Sequence, residues 1–276
     1  MKKSKSKNNI GRLFLRGEIK VYLPAHTPLG RREYITPKGV EDLIEDALKQ
    51  HVKGLIFEID SPGGGIVPSK EIADYIKKIE VPTVALVKGY AASGAYWIAT
   101  ACDKIVANEY SFVGSIGVLL PHVEISKLAN KYGIRYDGIK SGEYKDMGNI
   151  FRRFTDEERA ILQEELNAIH EGFIESIAEN RGLDIKQIRE YAKGLTYHGV
   201  KAKELGLVDE IGNTDKAIEI IERKGDFKHA KVVDYEPKIK KLKLRIGIGS
   251  AAYNIGRNIA RGIIEQLQSY NQTHIR

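Results

Sequence analysis

The sequence predicts an α/β protein built on a largely parallel sheet. Three observations point there. Short apolar runs such as Gly54–Ile59 and Thr83–Val87 alternate with helical segments, the order that right-handed βαβ crossovers require. Two of these runs end in turns of small residues, Asp60-Ser61-Pro62-Gly63-Gly64-Gly65 and Ala91-Ala92-Ser93-Gly94-Ala95, each followed by helical spacing. The chain has 276 residues, 42% of them hydrophobic and 29% charged, which is enough to bury a core and ordinary for a soluble globular protein.

In chain order, residues 1–10 read as a disordered basic arm, and 12–19 as a first strand. Pro24, Pro28 and Gly30 mark a loop over 22–34. Thr36-Pro37 is a helix start, a capping hydroxyl before proline at the first helical position. That helix runs to about residue 50 with Val40, Leu43, Ile44, Ala47 and Leu48 on one face. Strand 54–59 follows, then a helix over roughly 69–79 carrying Ile72, Tyr75, Ile76 and Ile79. Pro82 ends that helix before strand 83–87. After Ser93 come a short helix, a strand over 104–107 and another over about 113–119. A helix over 124–132 and a strand over 134–139 complete the first half. Thr155-Asp156-Glu157-Glu158 is a capping box that opens a helix reaching about residue 180. Another helix begins at Asp184; a short helix over 198–205, a strand over 207–211, a helix from Thr214 and a strand over 230–233 follow. From Glu236 the pattern changes. Leu242, Leu244, Ile246 and Ile248 recur every second residue, and then Ala252, Ile255, Ile259, Ile263 and Leu267 form an amphipathic helical stripe. Packing on the protein or on another subunit is one use for that stripe, and lying on a membrane surface is the other.

The net charge is +7, and it is concentrated in Lys2, Lys3, Lys5, Lys7 and Arg12 and again in Lys238, Lys240, Lys241, Lys243 and Arg245. Solvated basic segments or an anionic membrane surface account for such clusters. No nucleic-acid-binding motif accompanies them, so no nucleic-acid partner is expected. No run of ~18 apolar residues is present, and no apolar segment follows the basic N-terminus, so neither a transmembrane helix nor a signal peptide is expected. The single cysteine, Cys102, excludes an internal disulfide or a cysteine-based metal site and reads as a small buried residue. No metal or cofactor is expected.

The chemistry is expected where the two small-residue turns meet. In a parallel sheet both lie at the carboxyl-terminal edge, where α/β proteins place their sites. Gly63, Gly64 and Gly65 offer backbone N–H groups that can hold an oxyanion. Taken alone they fit a tight turn equally well, and they match neither a dinucleotide nor a Walker motif. Ser93 is a nucleophile candidate, although Ala91 stands where the G-x-S-x-G elbow has its first glycine. Its base is either His122, which follows Pro121 after a strand, or Lys145 in Lys140-Ser141-Gly142-Glu143-Tyr144-Lys145-Asp146. A lysine base requires its pKa to fall from about 10.4 to near 7, about 4 kcal/mol, which burial can supply. Ser115, in Val113-Gly114-Ser115-Ile116-Gly117, is placed to orient such an amine. The residues alone leave lysine and histidine both open.

The same blocks, in this order, resemble the signal peptide peptidase A family. The resemblance runs from about Gly54 to Val233 through 59–65, 91–99, 114–118, 139–146 and 202–212. It implies a ClpP/crotonase-like spiral of βαβ units and a Ser/Lys-dyad peptidase domain over 11–235, with 236–276 as a basic strand and amphipathic helical tail. It also implies roles: Ser93 as nucleophile, Lys145 as general base, Ser115 orienting the lysine, and the N–H groups of Gly64 and Gly94 as oxyanion donors. The implied substrates are peptides with small or apolar side chains, such as remnant signal peptides. The implied assembly is a homo-oligomeric ring or dome, at a membrane surface or in the cytoplasm. The family places a second glycine where this chain has Ala95, an extra methyl that could trim the pocket, and its usual N-terminal anchor has no counterpart here. Three rival readings are a Ser-His-Asp protease with His122 as base, acyl-CoA chemistry on the same fold, and a non-catalytic membrane scaffold.

Overall fold

The structure is a computed structural model and describes residues 8–23 and 33–236. In chain order its elements are β1 (Asn9–Arg16), β2 (Glu18–Ile19), β3 (Tyr34–Ile35), α1 (Pro37–Lys49), β4 (Gly54–Ser61), α2 (Ile66–Ile76), β5 (Thr83–Ala92), α3 (Gly94–Thr100), β6 (Lys104–Ala107) and β7 (Phe112–Gly114). They continue with α4 (Ser126–Lys131), α5 (Asp156–Arg181), α6 (Ile185–Tyr191), β8 (Thr196–His198), α7 (Gly199–Glu204), β9 (Glu210–Ile211), α8 (Thr214–Gly225) and β10 (Lys231–Tyr235).

The main sheet runs β10-β1-β4-β5-β6-β9, with β7 paired to the far end of β5 and β8 paired to β7. Every pairing is parallel except β7 with β8. The central strand is β5. Val84–Val87 pair with β6, and Tyr90–Ala92 then pair with β7. That change of partner brings Gly114 opposite Ala92, beside Ser93.

The apolar runs of β4 and β5 reflect burial on both faces, as parallel sheets require. Alternate residues serve two clusters. Leu55, Phe57, Ile59, Ala85 and Val87 join α1, α2, α3 and α5 in the larger one. Ile56, Val84 and Leu86 join Ile10, Val106 and Ala217, Ile220 and Ile221 of α8 in the smaller. Each fully buried Leu, Ile or Phe contributes roughly 1.5–3 kcal/mol of gross burial energy. Cys102 is buried in the larger cluster, and burial pushes its thiol pKa up.

The capping signals read from the sequence are formed. Thr36 Oγ1 accepts the Gly39 N–H with Pro37 in the first turn. The Thr155–Glu158 capping box is complete. Other expectations need correction. The sheet begins at Asn9, so Asn9 and Ile10 belong to β1 rather than to a basic arm over 1–10. The helix expected from Ser69 begins at Ile66, because Pro68 is tolerated in a first turn where no N–H is needed. The strand expected over 113–119 stops at Gly114, where the backbone turns to positive φ. No strand forms over 134–139, an exposed stretch that finds no pairing partner among the described residues. The loop around 24–32 and the strand and helix expected over 236–276 lie outside the described residues, apart from Glu236.

Candidate active site

The first wall of the site is the turn after β4. Ser61 is fully buried. Its hydroxyl donates to the Gly17 carbonyl (2.6 Å) and accepts the Gly63 N–H (3.1 Å). The short strand β2 then pairs with the glycines. The Ile19 N–H donates to Gly63 O, and the Gly65 N–H donates to Ile19 O, both at 2.9 Å, with Ile19 bridging Gly64 in parallel register. In that pattern the bonded groups flank Gly64, and the N–H of Gly64 itself points to the opposite side. Gly64 is exposed on that side.

The second wall is the turn after β5. Ser93 has φ 53° and ψ −125° and precedes α3 directly. This left-handed backbone in a residue with a Cβ costs about 1–3 kcal/mol and is held only by its surroundings. Those surroundings are specific. The Ser93 N–H donates to Gly114 O (2.7 Å), and its carbonyl accepts from Tyr96 and Trp97 (2.9 and 3.1 Å). All seven residues of α3 are buried. The two turns touch. A Cβ on Gly63 would lie 2.6 Å from Ala92 O and 2.9 Å from both Gly94 N and Ser93 Cβ. A Cβ on Gly94 would lie 2.1 Å from Ser69 Oγ, whose hydroxyl donates to Gly65 O at 2.6 Å. Glycine at 63 and 94 is what lets the loops approach so closely. Ala95 packs in the larger core cluster and is 1% exposed, so its methyl goes into the core and does not narrow an open pocket.

Ser115 forms a third wall. It also has positive φ (51°), after Gly114 at 105°. Its N–H donates to Leu195 O (2.7 Å), and the neighbouring Gly114 carbonyl is the one that receives the Ser93 N–H. Ser93, Gly64, Gly94 and Ser115 are therefore brought together by adjoining backbone.

Lys145 is not joined to them. It lies exposed in a series of turns, its N–H bonded to Gly142 O at 3.1 Å. Among the described residues no hydrogen bond links its ammonium to Ser93 or Ser115. His122 is not joined to them either. Its ring tilts against Phe154 at 4.2 Å, and its Nε2 lies 3.3 Å from Asn149 O.

The sequence profile of peptidase family S49 matches residues 75–228, more than half of the chain. A Methanocaldococcus jannaschii protein named as a protease is 36% identical over 229 residues, covering 82% of this chain and 72% of the relative. The chain belongs to peptidase family S49. A Clp protease profile matches residues 34–109 of this S49 chain as well. An Enterococcus faecium protein named as signal peptide peptidase SppA is 37% identical over 188 residues, 67% of this chain and 55% of that relative. The S49 chain thus spans little more than half the length of that protein. Among solved structures, a mutant of the 1510-N membrane-bound stomatin-specific protease in complex with a substrate peptide superposes with a TM-score of 0.56. That match covers 86% of this chain and 95% of the other at 17% identity, a likeness of fold alone. The ClpP/crotonase-like architecture expected from the sequence is the fold observed.

Three residues of this candidate site have no role in the sequence pattern. Ser61 and Ser69 pin the glycine loop through their hydroxyls, and Ile19 pairs with it. Ser61 stands inside the quoted motif and was open to notice. Ser69 and Ile19 act through contacts that no spacing reveals.

Proposed function

We propose that this chain is a serine endopeptidase in which Ser93 is the nucleophile and Lys145 the general base. The observation that carries the reading is the strained Ser93 turn packed against the glycine loop, with the N–H groups of Gly64 and Gly94 left to receive charge. In the first step the neutral amine of Lys145 takes the Ser93 hydroxyl proton as Oγ bonds to the substrate carbonyl carbon. The carbonyl oxygen becomes an oxyanion facing the Gly64 and Gly94 N–H groups. The intermediate collapses, the C–N bond breaks, and the Lys145 ammonium returns its proton to the leaving amine. Water, deprotonated by the same amine, then attacks the acyl-enzyme, and Ser93 is released with its proton. Ser115 orients Lys145.

A lysine in water is charged at neutral pH, so the mechanism requires the exposed Lys145 to be covered during catalysis. The preceding stretch, residues 119–139, offers exposed apolar surface for that purpose. Leu119, Leu120, Val123, Ile134 and Ile139 are exposed. We read this arm as covered by the peptide and by a second copy of the chain in a homo-oligomer, with small or apolar peptides, including remnant signal peptides, as substrates. The basic segments at both ends suit an anionic membrane surface. No helix among the described residues is long and apolar enough to cross a membrane. The reading places the protein at a membrane periphery or in the cytoplasm.

The test is cleavage of an apolar fluorogenic peptide, with labelling by a serine-reactive phosphonate. Ser93→Ala and Lys145→Ala are expected to abolish cleavage while retaining the wild-type unfolding midpoint, and Ser93→Ala to abolish labelling. Full activity in Lys145→Ala would sink the dyad and shift the base to His122.

A further inference from the structure

We propose that Asp146 and Arg152 are positioning residues for Lys145, and that they take their register from the N-terminus of helix α5. The proposal rests on the Ser93/Lys145 reading above. It begins with a deficit. From Gly133 to Arg153 every residue is exposed or half-buried. No apolar core can fix the segment that carries Lys145, so something else must.

A chain of charges takes that part. The Asp146 carboxylate accepts from Arg152 Nε and Nη2 at 3.1 and 3.0 Å and from Lys140 Nζ at 2.7 Å. The other side of the same guanidinium grips Glu158, Nη1 to Oε2 at 2.7 Å and Nη2 to Oε1 at 2.5 Å. Two-pronged arginine–carboxylate pairs fix orientation as well as distance. Glu158 is 3% exposed and completes the capping box, accepting the Thr155 N–H at 2.9 Å. Arg152 hydrogen bonds first, and the Thr155 N–H second, hold Glu158 down at a pKa of about 2. Arg152 and then Lys140 likewise hold Asp146 below the usual carboxylate range.

The far end of α5 is docked on the helix of the nucleophile. Trp97 Nε1 donates to Ser176 Oγ at 2.7 Å, the Trp97 and Phe173 rings stack at 4.4 Å, and Asn180 Nδ2 donates to Thr100 Oγ1 at 3.0 Å. Ser93 opens α3 and Lys145 hangs from the cap of α5. Helix α5, 26 residues long, thus links the segment that carries Lys145 to the helix that Ser93 opens. The network also balances charge. Asp146 is the immediate neighbour of Lys145, and Lys140 and Arg152 offset its charge and that of Glu158. The other ionisable groups around the turn are Glu143, Tyr144 bonded to Glu157 at 2.6 Å, and Arg153 paired with Glu124 at 3.3 Å.

The experiment compares Arg152→Gln, Arg152→Lys, Asp146→Asn and Lys145→Ala in the full chain. It measures kcat and KM on the apolar peptide, the pH profile of kcat/KM, and thermal unfolding. Misplacing a reacting group by about 1 Å can cost up to roughly 10²-fold in rate. Arg152→Gln is thus expected to lower kcat at least about tenfold with little change in KM. It should also move the acid limb of the profile to higher pH, because the Asp146 anion is left less well offset. Arg152→Lys is expected to restore the limb but not kcat, because an ammonium cannot make the two-pronged contacts. Asp146→Asn should lower kcat and move the limb to lower pH, because the anion that favours the ammonium is gone. An unmoved acid limb in Arg152→Gln, or a kcat that is wild-type or falls only as far as lost folded protein explains, overturns the positioning role. If Lys145→Ala is inactive in that case, the dyad stands without it. If Lys145→Ala is active, the dyad and this proposal fall together.

Discussion

Gly64→Ala tests the proposed oxyanion wall at its most exacting point. A methyl on Gly64 would lie 2.2 Å from Ile19 O, 2.7 Å from Ile19 N and 2.9 Å from Ile19 C. Ordinary contact begins at about 3.4 Å, so β2 and the glycine loop must part by more than 1 Å. All three obstructing atoms are backbone, and no side chain can swing aside. The movement strains or breaks the two 2.9 Å bonds between Ile19 and residues 63 and 65. At about 1 kcal/mol net each, that is roughly 2 kcal/mol of stability. The catalytic cost is larger, because losing one oxyanion donor lowers kcat by roughly 10²–10³-fold. Expected, then, is a folded protein with a modestly lower urea midpoint, a kcat reduced at least about a hundredfold, and Ser93 still open to slow phosphonate labelling. A Gly64→Ala protein that cleaves the apolar peptide at the wild-type rate would refute the assignment of the Gly64 N–H as a donor.

Gly94→Ala should fail for a different reason, since its methyl would meet Ser69 Oγ at 2.1 Å. Adding Ser69→Ala removes that atom, so a double-mutant cycle should show partial recovery of activity, and strict additivity would argue against the contact. Asp209 should set part of the acid sensitivity. Burial disfavours its charged form, but hydrogen bonds and charge from Arg181, then Lys104 and the Ile105 N–H, outweigh this and depress its pKa. Its contribution is therefore complete above the unfolded value of about 3.9 and is lost as pH falls through the lower folded value. Asp209→Asn takes the carboxylate from the Arg181 guanidinium, which is only 8% exposed and keeps the Gly206 carbonyl as a partner. It should cost roughly 3–5 kcal/mol at pH 7 and flatten the fall in stability below about pH 4, read by urea titration across that range.

What could be read in advance depended on how local each signal was. The runs in β4 and β5 carry their burial on both faces in plain view, and Thr36-Pro37 and Thr155–Glu158 carry helix starts in side chains a few residues apart. The β2–glycine pairing joins Ile19 to Gly64 through backbone alone, in a strand of two residues with no period to detect. The stretch 134–139 shows the opposite failure. Ile134, Tyr136 and Ile139 suit a strand, but a strand needs an edge to pair with, and β7 already has β5 and β8 on its two sides. The small-residue turns announced Ser93 and Gly64 as neighbours because parallel strands end on one edge. The Asp146–Arg152–Glu158 chain was invisible because six-residue steps through turns leave no regular spacing.

The backbone at Ser93 carries one more implication. Glycine would occupy the same left-handed conformation without strain, so a chain selected only to be durable would place glycine there. The hydroxyl is kept at a thermodynamic disadvantage of about 1–3 kcal/mol, a sizeable part of the margin that separates a folded domain from an unfolded one. Position 93 is thus a place where durability would favour glycine, whereas the proposed chemistry needs the hydroxyl.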